Sequence, residues 1–316
     1  MTTEIQTNIN AVREHILALK TDGAVMADIA RESGVSASRL SQFLSGSYRG
    51  NSQAVADALA GWLDNRHAER NTLPVMPEFV ETPTVKNIWG AFQYAQLTQS
   101  IAVVYGNPGL SKTTARDRFA ASRPNVWTFT VSRSSTKVAG CLYAIAQATG
   151  VKEPQMYRPD ILYRQVRDEL KGKKGLIIVD EADRLGYETL EELRILQEES
   201  QVGLVLIGNH RIYNRLTGNQ SRDVDFARLF SRIAKRVVIE TATQADIDAI
   251  AGACRLDDDA RQIINWVARQ PGALRMVFYS LQLASTKALA MGESLTTSHI
   301  LAAIKDLGCE YKGGKS

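Results

Sequence analysis

Lys112-Thr113-Thr114 closes the run GNPGLSKTT, in which the lysine follows Gly106 at the spacing G-x-x-x-x-S-K-T. A glycine-containing loop that opens a helix turns several backbone N–H groups inward and can hold phosphates. At this spacing Lys112 would neutralise β- and γ-phosphates and the Thr113 hydroxyl would ligate Mg²⁺. The candidate phosphate-binding set is Gly106, Asn107, Pro108, Gly109, Leu110, Ser111, Lys112, Thr113 and Thr114. One position departs from the pattern: the motif wants a second glycine where this chain has Ser111, and a Cβ there crowds the phosphate or strains the backbone.

Further along, the apolar run Leu176–Val179 delivers Asp180 and Glu181. A carboxylate pair at a strand tip opposite such a loop is what nucleotide hydrolysis needs. Asp180 would hold the water shell of Mg²⁺, and Glu181 would polarise the attacking water. The bland alternative is an acidic cap on a helix beginning near Asp183. Asn209 follows another apolar run, Gly203–Ile207, where an amide can sense a γ-phosphate or simply serve a turn. In FARLFSRIAKR the spacing predicts Arg228 and Arg232 one helical turn apart, with Lys235 and Arg236 close behind. An exposed Arg232 could reach the nucleotide of a neighbouring subunit; equally, the segment is a basic face on solvent or DNA. Arg275 opens a helix after Pro271-Gly272, against the helix dipole, and so points to an anionic partner.

These groups need a scaffold. Ile101–Tyr105, Val126–Val131, Leu176–Val179 and Gly203–Ile207 read as strands, alternating with helices from Val85 to Leu97, after Lys112, over VAGCLYAIAQATG and from Ile161 to Leu170. Such alternation predicts an α/β fold with a parallel, doubly wound sheet. Thr243 caps a helix reaching about Cys254, and further helices are predicted over 258–269, 272–290 and 297–306.

Ahead of this core, Ile5, Ile9, Val12, Ile16 and Leu19 recur at helical spacing. VMADIARESGVSASRLSQFLSG then reads as helix–turn–helix: Ala30 permits close packing, Gly34 makes the turn, and Ser36 is placed to cap a second helix bearing Leu40 and Phe43. That helix would expose Arg39 and Gln42, side chains suited to base edges or phosphates; a plain helical bundle fits the pattern too. A third helix carries Val55, Leu59, Trp62 and Leu63. The expected organisation is a helix–turn–helix domain over 1–66, a linker over 67–83, an ATPase core over 84–240 and a helical lid over 241–316.

With 316 residues, 44% hydrophobic and 23% charged, the chain has room for one large or two to three modest domains and the balance of a soluble globular protein. No apolar run suits a membrane span, and the N-terminus lacks a signal-peptide core, so a cytoplasmic location is expected. Cys141, Cys254 and Cys309 are too far apart in sequence for a zinc pattern. A net charge of +4 permits a nucleic-acid partner without demanding one.

The order of these features, from phosphate loop to Asp-Glu strand, Asn strand tip, paired arginines and Arg-bearing helical lid, resembles that of the AAA+ ATPases. FVETPTVKNIW, GNPG-x-x-KT, IIVDEADRLG, EELRILQE, GLVLIGNHRIY and FARLFSRIAKR are similar, over most of 79–290, to the target-selection ATPases of transposing bacteriophages. The resemblance implies a Mg²⁺-dependent ATPase with ATP as cofactor. It would self-assemble into filaments on double-stranded DNA without sequence preference, deliver that DNA to a DDE-type transposase and stimulate it. Hydrolysis would dismantle the assembly in the bacterial host cytoplasm. It puts phosphate and metal roles on Lys112, Thr113 and Asp180, hydrolysis on Glu181, γ-phosphate sensing on Asn209 and Arg275, and a finger acting in trans on Arg232. DNA contacts would fall to basic residues in loops: Arg133, Lys137 and Arg158 are candidates. A helicase loader, or a helix–turn–helix regulator with an ATPase switch, remains an alternative.

Overall fold

The computed structural model describes residues 8–21, 26–72, 77, 79–217 and 231–311. The chain forms two compact units. One comprises Met1–Val75 and Ser285–Leu295, the other Met76–Ala284 and Thr296–Ser316.

In the first unit, helices α1 (Ile9–Thr21), α2 (Met26–Ser33), α3 (Ala37–Leu44) and α4 (Ser52–Thr72) enclose one apolar core. Val12 and Ile16 of α1 meet Ile29 and Ala30 of α2, Leu40 and Phe43 of α3, and Leu59 and Trp62 of α4. Gly34 takes the turn between α2 and α3 with φ +71, a conformation in which a Cβ is costly. Ser36 stands at the N-cap of α3, but its hydroxyl makes no capping bond and lies 3.4 Å from that of Ser38. Helix α4 runs to Thr72, into the stretch expected as a linker, and α5 (Pro83–Thr98) follows.

The second unit is built on a five-stranded sheet in the order β2-β3-β4-β1-β5, every pair parallel. The strands are β1 (Ile101–Gly106), β2 (Val126–Thr130), β3 (Leu176–Asp180), β4 (Gly203–Gly208) and β5 (Ile233–Ile239). Both faces are covered. Ile101, Val103 and Tyr105 share a core with residues of α7 (Val138–Thr149), α8 (Pro159–Leu170) and α9 (Tyr187–Ser200). Strand alternation turns Ala102 and Val104 to the other face, where α5 (Pro83–Thr98) lies across β1, β4 and β5. The parallel α/β expectation holds.

Strand β5 begins inside FARLFSRIAKR, so the helical spacing expected for Arg228 and Arg232 does not extend to Lys235 and Arg236. Ile233–Ile239 is extended, paired with β1, and buries Ile233, Val237 and Ile239 in near alternation. Short windows of I-A-K-R-V-V-I satisfy either period, and pairing with β1 decides for the strand. Arg228 lies outside the described residues.

Helix α10 (His210–Thr217) follows β4. Beyond β5, α11 (Gln244–Ala253), α12 (Asp258–Ala268), α13 (Ala273–Ala290) and α14 (Thr297–Asp306) follow, close to the expected helices. Thr243 caps α11, accepting from the Asp246 N–H at 3.1 Å. No described helix is long and apolar enough to cross a membrane.

Candidate nucleotide site

Parallel pairing brings the C-terminal ends of β1, β3 and β4 to one edge of the sheet. The register sets Tyr105 beside Gly208, Val179 beside Leu206 and Thr130 beside Asp180. The phosphate loop leaves β1 at this edge and feeds α6 (Lys112–Ala121). Aromatic packing braces α6 from behind: Phe92 meets Phe119 edge-on, and the Trp89 indole N–H donates to the Ala115 carbonyl at 2.8 Å.

Two glycines of the loop are dictated by close approach. At Gly106 a Cβ would stand 1.9 Å from the Ile239 carbonyl oxygen, and at Gly109 2.1 Å from that of Gly272. The loop is pinned between β5 and the start of α13. Asn107 donates its N–H to Ile239 O at 2.9 Å and its amide to Glu240 O at 2.7 Å, while the Arg275 N–H donates to Gly109 O at 3.1 Å. Leu110 is buried beneath the loop. Ser111 adopts φ +58, ψ +14, left-handed backbone that suits the glycine the motif wants. Pro108 supplies a rigid turn residue, and Thr114 is exposed in the first turn of α6. The N–H groups of that turn have no partner within a helix and form a natural anion cradle.

Lys112 folds back onto its own loop, donating to Asn107 O at 2.6 Å and Gly106 O at 3.1 Å. Burial pushes its ammonium below the ordinary lysine value; Asp180 and Glu181 oppose that, and Arg275 adds to it. Arg275 is exposed and acts on Lys112 through its charge.

The Thr113 hydroxyl donates to Asp180 Oδ2 at 2.7 Å. In donating its proton it keeps its lone pairs for a cation. Asp180 is buried; its Oδ1 accepts the Glu181 N–H at 2.9 Å, and its Oδ2 also accepts from Arg116 at 3.1 Å. Hydroxyl and carboxylate oxygens converging beside a phosphate cradle fit Mg²⁺, which takes oxygen ligands and retains much of its water. Glu181 has φ +57, uncommon for a residue with a Cβ, and its carboxylate pairs with Arg184 at 3.1 Å. Asn209 is held by a buried acid: its side chain donates to Asp183 Oδ2 at 2.9 Å and its N–H to Oδ1 at 3.3 Å. A groove lined by Thr84, Asn87, Ile239, Glu240 and Thr243 adjoins the loop residues tied to Ile239 and Glu240.

The remaining candidates have other partners or stand exposed. Arg232, on the turn before β5, pairs with Glu198 of its own α9 at 3.1 Å. Lys235 is half-buried and donates to Gly90 O at 3.3 Å. Arg133 and Lys137 are exposed; Arg133 opens the 3₁₀ turn Arg133–Ser135, and Lys137 follows its C-cap Thr136. Arg158 is exposed at the N-cap of α8 and pairs with Asp160 at 3.5 Å. Arg39 and Gln42 are exposed on α3. Sequence reasoning missed Arg116, Asp183 and Asp246. Only the buried positions of these charged residues single them out, and no spacing motif encodes that.

Residues 95–216 match the family described as AAA domain, and residues 231–307 match the one described as Mu B transposition protein, C terminal. Over 303 residues the chain is 42% identical to the ATP-dependent target DNA activator B of Escherichia phage Mu, spanning 95% of this chain and 96% of that protein. The chain belongs to the Mu B transposition protein family. The Mu-like prophage FluMu DNA transposition protein B of Haemophilus influenzae is 39% identical over 86% of this chain and 94% of its own. Among solved structures, Cdc6p of Pyrobaculum aerophilum superposes with a TM-score of 0.54 at 14% identity, covering 75% of this chain and 70% of its own. The Orc1 protein of Aeropyrum pernix gives 0.52 at 20%, covering 75% and 68%. These two likenesses concern the fold alone; the match to the AAA domain bears out the AAA+ expectation.

Proposed function

We propose that this protein is an ATP-dependent activator of target DNA. ATP binding drives its self-assembly into filaments on duplex DNA. The filament presents that DNA to a DDE-type transposase and stimulates strand transfer, and hydrolysis dismantles the assembly. Acting on target DNA places it in the bacterial host cytoplasm. The observation that carries the reading is the Thr113–Asp180 hydrogen bond at the mouth of the phosphate loop, 2.7 Å long. The family relationship to the phage Mu protein named ATP-dependent target DNA activator B supplies the DNA.

In this reading Lys112 exchanges its two carbonyl partners for β- and γ-phosphate oxygens, relieving a buried ammonium with real countercharge. The loop N–H groups and the first turn of α6 hold the remaining phosphate oxygens. Thr113 and Asp180 hold the Mg²⁺ and its water shell; when bound, the ion spreads the charge of the phosphates. Glu181, released from Arg184, orients and deprotonates the attacking water, while Asn209 holds that water or the γ-phosphate at a position fixed by Asp183. Arg275 reaches the phosphates from the lid, since its own backbone is tied to Gly109. Arg232 completes the site of the next subunit after leaving Glu198. Arg133, Lys137 and Arg158, with Arg39 and Gln42 from the helix–turn–helix unit, contact DNA, chiefly its phosphates.

Sedimentation with random-sequence duplex DNA under ATP, ADP and no nucleotide tests the reading. Co-sedimentation with ATP alone, abolished by Lys112→Ala, is expected. Preference for single strands would indicate a helicase loader, and a fixed operator footprint a transcription regulator.

A further inference from the structure

The side chain of Arg116 lies inside the nucleotide site although no phosphate-loop motif asks for it. It is 10% exposed and the carboxylate it faces, Asp180, is 6% exposed. Its Nη1 donates to Asp180 Oδ2 at 3.1 Å and to Thr130 Oγ1 at 2.7 Å. Its Nε donates to Asp117 Oδ1 at 2.8 Å, and Nη2 lies 2.7 Å from the same oxygen. Three anchors on α6, β2 and β3 thus fix the guanidinium plane, a use that the rigid fork of arginine suits and a lysine ammonium does not.

The oxygen that Arg116 takes is the one the Thr113 hydroxyl also takes, Asp180 Oδ2. A carboxylate this buried is unfavourable unless a cation faces it. Arg116 is that cation, and Asp117 pairs with it as well. A Mg²⁺ ion beside Thr113 and Asp180 would compete with Arg116 for one oxygen, Asp180 Oδ2, and the two cations would repel each other.

We propose that Arg116 is the resident counter-ion of Asp180, a positioning residue that stabilises the empty site and weakens Mg²⁺·nucleotide binding, so that nucleotide can leave without collapse of the site. The inference rests on the assignment of Asp180 to the metal. A residue that stabilises the empty state more than the loaded one must, by linkage, lower affinity for the ligand.

Thermal unfolding and equilibrium binding of a non-hydrolysable ATP analogue test this, with Mg²⁺ and with EDTA, for the full-length wild type, Arg116→Gln and Arg116→Lys. For Arg116→Gln the nucleotide-free midpoint is expected to fall by about 6 °C, the loss appropriate to breaking one buried ion pair. The Mg²⁺·analogue-loaded midpoint should fall by less than half as much. The dissociation constant should tighten about threefold to tenfold with Mg²⁺ and stay unchanged in EDTA, a split that a purely structural role would not produce. Arg116→Lys, which keeps the charge and loses the fork, should show the same changes at smaller amplitude; it carries the test if the glutamine variant does not fold. Equal loss of both midpoints, or Mg²⁺·analogue binding no tighter than wild type, overturns the role of Arg116. A wild type that shows no Mg²⁺-dependent binding at all overturns the metal assignment of Asp180, and the proposal with it, and is recognised without reference to the variants.

Discussion

Asp246 offers the sharpest test of how the lid is held to the core. Its carboxylate is fully buried and accepts four hydrogen bonds. Oδ1 takes the Thr84 N–H at 2.8 Å; Oδ2 takes the Thr84 hydroxyl at 2.7 Å, the Thr243 N–H at 2.9 Å and the Thr243 hydroxyl at 2.8 Å. The residue thus completes the capping box of α11 and clamps that helix to the start of α5, across 162 positions of sequence. In Asp246→Ala the two hydroxyls can turn to other acceptors, but the Thr84 N–H is left buried without one and α11 loses half of its capping box. At about 1–3 kcal/mol for the orphan donor and about 1 kcal/mol for the capping bond, the loss is about 3 kcal/mol. For a unit of this size that corresponds to a midpoint about 9 °C lower. Asp246→Asn, which keeps one acceptor oxygen, should fall between that variant and the wild type. Burial alone would raise the Asp246 pKa, yet its bonds from Thr84 and Thr243 outweigh burial and hold it below the ordinary carboxylate value. The sign follows: the clamp is at full strength above the unfolded-state pKa of about 4 and is lost as pH falls through the lower folded value. Calorimetry of wild type and both variants at pH 7 and pH 3 measures this. A midpoint loss under about 2 °C for Asp246→Ala at pH 7 would refute the reasoning, because the four bonds would then contribute nothing net.

Ser111→Gly removes a Cβ from left-handed backbone, relieving about 1 kcal/mol of strain, while glycine's extra freedom in the unfolded chain offsets most of it. Stability should hardly change, and ATP affinity, read by calorimetry, should tighten by at least about threefold; unaltered affinity would mean that Ser111 does not crowd the phosphates. Glu181→Gln should bind ATP normally, lose turnover by about 100-fold or more, and leave assemblies on DNA that outlast those of wild type; rapid turnover would remove Glu181 from the water-activating role. Arg158→Ala should lower the slope of log affinity for duplex DNA against log salt by about one unit per subunit. An unchanged slope would indicate that Arg158 serves only its pair with Asp160.

The sequence by itself determined the elements and the order of the chemistry. Four of the five strands, the helix–turn–helix pattern, the capping Thr243 and the phosphate loop are written in local periodicity and spacing, which depend on residues a few positions apart. The placement of Gly106 and Gly109 was readable as a motif, though their cause was not: each is small because a backbone carbonyl from β5 or from the start of α13 passes through the space a Cβ would fill. Only the tertiary structure decided the rest. It made β5 from a segment whose short apolar pattern suits a helix as well, because β1 offered an open edge to pair with. It set Arg116 on Asp180, Asp183 on Asn209 and Asp246 on Thr84, and it gave Arg232 a partner, Glu198, in its own subunit. A charge far along the chain has no sequence signature for what it will meet. Its partner is chosen when the sheet closes its register and the helices bury it, and from then on the cost of an unpaired buried charge holds the pair together.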